Sequence, residues 1–87
     1  METNKPDHNI KLIWDFKGPT AAATAEHYIQ HLKTYVSDAS LQHPIFDHQK
    51  LSDFHSIAFL VVTQEEMPRV RDDLKPHRGE LFLEETH

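Results

Sequence analysis

The chain has no cysteine. That single absence removes disulfide frameworks, thiolate zinc sites, iron–sulfur clusters and cysteine nucleophiles together, and makes the cytoplasm the expected compartment. Glycine is almost as scarce, with two residues in 87, so a glycine-rich phosphate loop has no material to be built from. Long apolar runs are missing too. The longest, Ile57 to Val62, holds six residues, far below the roughly 18 needed to cross a bilayer. No charged-then-apolar leader opens the chain, so neither export nor a membrane partner is expected. Positive charge is in deficit. Nine Lys and Arg against 14 Asp and Glu give a formal net charge of −5, which opposes the phosphate neutralisation that nucleic-acid binding depends on. The eight histidines qualify this balance, because protonating all of them would carry −5 to +3 at pH values near and below about 6.5.

What is present suffices for a small core. Hydrophobic residues make up 38% and include Trp14, five Phe and two Tyr, too many for a disordered chain. The length allows one domain with a thin core. Residues 1–9 are polar, carry Pro6 and lack periodicity, and are expected to form a flexible tail. Residues 10–87 then make a single α+β domain.

The pattern within that domain is regular. Ile10, Leu12, Trp14 and Phe16 alternate with Lys11, Ile13, Asp15 and Lys17, the period-two signature of a strand with one buried face. Gly18-Pro19 stops it, with Pro19 suited to the first position of a helix and Thr20 or Gly18 to its cap. Ala21, Ala22, Ala25, Ile29, Leu32 and Val36 recur at the three- and four-residue spacing of a helix reaching to about Val36. After a loop over 37–44, Ile45 to Leu51 makes a poor strand that fits an edge. His55 to Thr63 is apolar on both faces and belongs in the middle of a sheet. Thr63 and Glu66 fit a capping box ahead of a second helix carrying Met67, Val70 and Leu74, where Pro68 kinks the start or delays it. Lys75 to Gly79 ends that helix, and a short strand is expected over 80–84.

The order β-α-β-β-α-β, with its two most apolar strands first and third, resembles the ferredoxin-like superfold. The resemblance implies a four-stranded antiparallel sheet with two helices on one face. It implies no activity, because that architecture hosts many functions. The sequence His55-Ser56-Ile57-Ala58-Phe59 lacks the basic-Gly-aromatic pattern of its RNA-binding members.

His27 and His31 lie four residues apart on the first helix, a spacing that suits zinc, copper or nickel. With Ala25 at zero, they fall at about 200° and about 240° around the helix, whereas the apolar stripe centres near about 10°. The pair therefore faces away from the sheet. Its neighbours there, Thr20, Thr24 and Thr34 with Tyr28 and Tyr35 on the flank, are uncharged, which reads as a contact surface. A metal site would need further ligands.

Three other groups have a chemistry or a contact to offer. Asp15 with His48 and His55 on neighbouring strands would supply a carboxylate and imidazoles for acid–base work on the open sheet face. Lys75, His77 and Arg78 concentrate positive charge in a loop able to hold an anion. Ile13 and one alternate set of the third strand, either Ile57, Phe59 and Val61 or Ala58, Leu60 and Val62, are left on the sheet face away from the helices. An apolar face of that kind predicts a homodimer through the open face or an edge, with Ile13, Thr24, Tyr28 and Tyr35 as interface residues. The function expected is that of a non-enzymatic, self-associating binding module for a protein or small-molecule partner. Metal binding and acid–base chemistry are the alternatives.

Overall fold

A computed structural model of the chain describes residues 9–42 and 44–82. The expected tail lies almost wholly outside these residues, as do the end of the last strand and His43. Six elements follow one another: β1 (Asn9–Lys17), α1 (Ala21–Ala39), β2 (Ile45–Ser52), β3 (His55–Val62), α2 (Met67–Leu74) and β4 (Arg78–Phe82). The sheet order is β2-β3-β1-β4 with every neighbouring pair antiparallel. This is the α+β ferredoxin-like arrangement, with the two apolar strands at the centre.

Strand parity decides which side chains meet. Leu12 and Trp14 of β1 share one face with Ala58, Leu60 and Val62 of β3, and these pack with Leu32 of α1 and Val70 of α2 into one core. Both helices therefore cover the same face. The opposite face receives Lys11, Ile13 and Asp15 of β1, Ile57, Phe59 and Val61 of β3, and Arg78 and Glu80 of β4. Of the two alternatives for β3, the set Ile57, Phe59 and Val61 is the outward one.

The start of α1 departs from expectation. Gly18 holds a φ of 111°, a conformation glycine adopts without a side-chain clash. Pro19 sits in the turn before Thr20, which is the N-cap and makes no side-chain capping bond. Pro19 is therefore outside the helix: the turn closes by Ala21 N–H donating to Gly18 O at 3.1 Å. Burial of Ala21, Ala25 and Leu32, more than capping, holds α1 in place. The helix runs three residues past Val36 and ends where Ser40 turns left-handed.

The entry into α2 follows the capping-box logic. Thr63 N–H donates to Glu66 Oε1 and Glu66 N–H to Thr63 Oγ1, both at 3.1 Å. Pro68 sits within the first helical turn, where it costs no hydrogen bond, and regular helix begins at Met67. The far end is tied to the core by Trp14, whose Nε1 donates to Leu74 O at 3.1 Å. β4 starts at Arg78, two residues earlier than periodicity indicated, because Arg78 and Gly79 pair with Ile13 and Leu12.

Candidate functional site

On the open sheet face the chain builds a charged cluster around Asp15. The antiparallel registers set Lys17 opposite His55 and Ile13 opposite Arg78, so both side chains lean toward Asp15 from flanking strands. His55 Nε2 lies 2.8 Å from Asp15 Oδ1. Arg78 donates from Nε to Oδ2 at 2.9 Å and from Nη2 to Oδ1 at 3.1 Å. The forked pairing matches guanidinium to carboxylate. His77 completes the surroundings from the backbone side: its Nδ1 accepts the Asp15 N–H at 2.8 Å, and its own N–H donates to Ile13 O at 2.9 Å.

The electrostatic result is a carboxylate held ionised. Arg78 hydrogen bonding drives the Asp15 carboxyl well below the usual carboxylate range; partial burial opposes this, and the His55 bond reinforces it. Arg78 is in turn raised, chiefly by the Asp15 hydrogen bond. A general base works best with a pKa near the operating pH, and Asp15 is displaced in the opposite direction. Its side chain is 18% exposed, and a bidentate cation already occupies both its oxygens.

The rest of this face is less open than sequence parity suggested. Ile13, Ile57 and Val61 are 2%, 4% and 1% exposed, although both described helices pack on the other face of the sheet. Charged side chains stand among them, and Lys11 Nζ sits 4.4 Å from the Phe59 ring centroid, a cation–π contact that lays the aliphatic stem along apolar surface. A bare apolar patch is therefore not what the sheet presents, and Ile13 is not a contact residue of the folded chain.

His48 does not join the cluster. The β2–β3 register places it opposite Ala58, on the helix side of the sheet, and puts Asp47 on the open face instead. The period of two puts His48 there: a strand's neighbours alternate faces, and the hairpin register decides which set points out. Of the anion-binding trio, Arg78 and His77 are taken up by Asp15, which leaves Lys75, exposed and left-handed at the end of α2. A preformed anion loop is not built there.

On α1, His27 and His31 are exposed with ring centroids 5.6 Å apart. Thr24 is exposed beside them. The tyrosines flanking the strip turn inward. Tyr28 packs against Trp14 and Phe16 at centroid distances of 5.2 and 5.6 Å, and Tyr35 donates its hydroxyl to Asp73 Oδ2 at 2.7 Å. Tyr28 is spent holding α1 to β1 and Tyr35 holding α1 to α2, which removes both from the proposed contact surface. Among the described residues, no group of three or more metal-binding side chains is assembled.

A feature that the hydropathy pattern did not reveal lies at the other edge. Between α2 and β4 a groove of about 530 Å³ is floored by Ile10, Leu12 and Gly79 and walled by Met67, Pro76 and Leu81. Leu81 is 57% exposed. β4 is the outer strand on this side, with no strand beyond it among the described residues. The groove exists because α1 spreads over β3, β2 and β1 while the eight-residue α2 leaves the β4 side uncovered. Only the strand order places Met67 and Pro76 near Ile10, so spacing along the chain carried no signal of it.

No protein family, curated protein or solved structure matches this chain.

Proposed function

We propose that the protein is a non-enzymatic, cytoplasmic binding module that self-associates through the free edge of β4 and the groove behind it. The observation that carries this reading is the coincidence, on one edge, of an outer strand with no neighbour beyond it among the described residues, an apolar groove and the half-exposed Leu81. Unpaired strand edges template further pairing, and an exposed leucine beside an apolar groove favours burial on association. Both Asp15 oxygens are engaged by Arg78 and His55 and its carboxyl is held well below the usual range, which supports a structural role for this carboxylate over that of a general base. Sedimentation equilibrium over a concentration series tests it. Dimer is expected at high micromolar concentration, with Leu81→Asp shifted toward monomer. A wild-type protein that stays monomeric throughout overturns the reading.

A second reading rests on His27 and His31. Two exposed imidazoles one helical turn apart form a two-ligand chelate for zinc, copper or nickel, with water completing the coordination. Zinc titration followed by histidine NMR separates it from the first. Selective shifts of these two rings support it, and their absence removes it.

A further inference from the structure

We infer that the second copy pairs antiparallel along β4 in one register, with Gly79 on the two-fold axis and Arg78 of each copy opposite Glu80 of the other. This rests on the self-association reading above and specifies its geometry. In a two-fold antiparallel pairing that keeps both open faces on one side, residues directly opposite share a face, so the axis passes through a residue. An axis at Arg78 sets two arginines against each other, and an axis at Glu80 sets two glutamates against each other. Like charges directly opposite destabilise a ladder. An axis at Gly79 instead gives two opposed Arg–Glu pairs, one on each side of the axis and both on the open face.

The side chains are already arranged for this. Arg78 spends Nε and Nη2 on Asp15, while Nη1 makes only a 3.4 Å contact with Glu80 of its own strand. That nitrogen is the donor left over for a second carboxylate. Asp15 holds the guanidinium in place before association, so little side-chain freedom is lost on pairing. Arg78 and Glu80 are 47% and 54% exposed, leaving both open to a partner. At the axis itself Gly79 brings no side chain, and the groove lies directly beside it. The second copy's Leu81 then falls opposite His77, next to Pro76 at the groove wall.

The chain has no cysteine, so single introduced cysteines report the register without background. Opposed residues of an antiparallel ladder have Cα separations of about 4.5 or 5.5 Å, inside the range a disulfide spans. Gly79→Cys is therefore expected to form a disulfide dimer rapidly under mild oxidation, and Glu80→Cys slowly. A Cβ at Gly79 would meet Leu12 Cδ2 at 3.4 Å, so Glu80→Arg, at an exposed position, gives an independent measurement. It is expected to raise the dimer dissociation constant by about tenfold or more, since it replaces both attractive pairs by repulsive ones. If the wild type is dimeric but Glu80→Cys cross-links faster, or Glu80→Arg dimerises as the wild type does, the register is overturned and the module reading stands. A monomeric wild type overturns both.

Discussion

Arg78 closes on Asp15 with two donors, at 2.9 and 3.1 Å, and so joins β4 to β1 across 63 residues of chain. The bond carries a pH signature. Asp15 is held below the usual carboxylate range by Arg78 first and His55 second, against the opposing effect of burial. In the unfolded chain the same carboxyl titrates near about 3.9. As pH falls through that value the unfolded state takes up the proton while the folded state does not, so stability is full above it and declines below it. Asp15→Asn is expected to lower the urea midpoint at neutral pH and to flatten the acid limb of stability against pH. An unchanged acid limb in that variant would show that the pair does not act as a folded-state anion.

Ser56 is fully buried, and its Oγ has no hydrogen-bond partner among the described residues. It lies on the helix side of β3, between Phe16 and Lys50 in the ladder. A buried hydroxyl without a partner carries a desolvation cost with no compensating bond. Ser56→Ala is therefore expected to stabilise the fold by about 0.5–2 kcal/mol, seen as a higher urea midpoint at unchanged slope. Destabilisation instead would mean that the hydroxyl is bonded in solution.

How much of this was legible in the sequence depends on the range of the interaction. The phase of α1 was, because it needs only the helical period: Ala25 and Leu32 are fully buried and His27 and His31 exposed. The centrality of β1 and β3 was as well, since two apolar strands seek the middle of a sheet. The pairing of Asp15 with His55 was half visible, the strands being adjacent. Its pairing with Arg78 was not, because that needs the β1–β4 register and a β4 that begins inside what reads as a Pro-Gly loop. His48 failed for the same reason, its face being set by the β2–β3 register. Tyr28 and Tyr35 failed differently: an amphipathic ring at the border of a helical stripe packs inward when neighbouring aromatics or an acceptor are close, and Trp14, Phe16 and Asp73 supply them.

Glu66 binds two backbone segments at once. Its Oε1 accepts from Thr63 N–H at 3.1 Å, and its Oε2 accepts from Gln42 N–H, in the α1–β2 loop, at 2.7 Å. Loss of a capping side chain costs typically about 1 kcal/mol, and the second bond adds to it. Glu66→Ala is expected to destabilise by about 1–2 kcal/mol. Glu66→Gln, which keeps an acceptor oxygen, should recover part of this in denaturant titrations, with faster amide exchange confined to Gln42 and the start of α2. Equal losses for both variants would assign the effect to charge.

Tyr35 governs the alkaline side. Burial, and then the hydrogen bond to Asp73, push its phenol up to about 12, whereas an unfolded tyrosine titrates near about 10. Between these values the folded chain keeps a proton that the unfolded chain has released. Stability is therefore full below about pH 10 and declines as pH rises toward 12. Tyr28, raised by burial alone, contributes with the same sign. Tyr35→Phe removes the bond that ties α1 to α2, an exposed one costing about 0.5 kcal/mol at neutral pH, and should flatten the alkaline limb without abolishing it, since Tyr28 remains. Urea unfolding repeated through this range, with tyrosinate absorbance read alongside, checks both parts. An alkaline slope identical to that of the wild type would remove Tyr35 as its source.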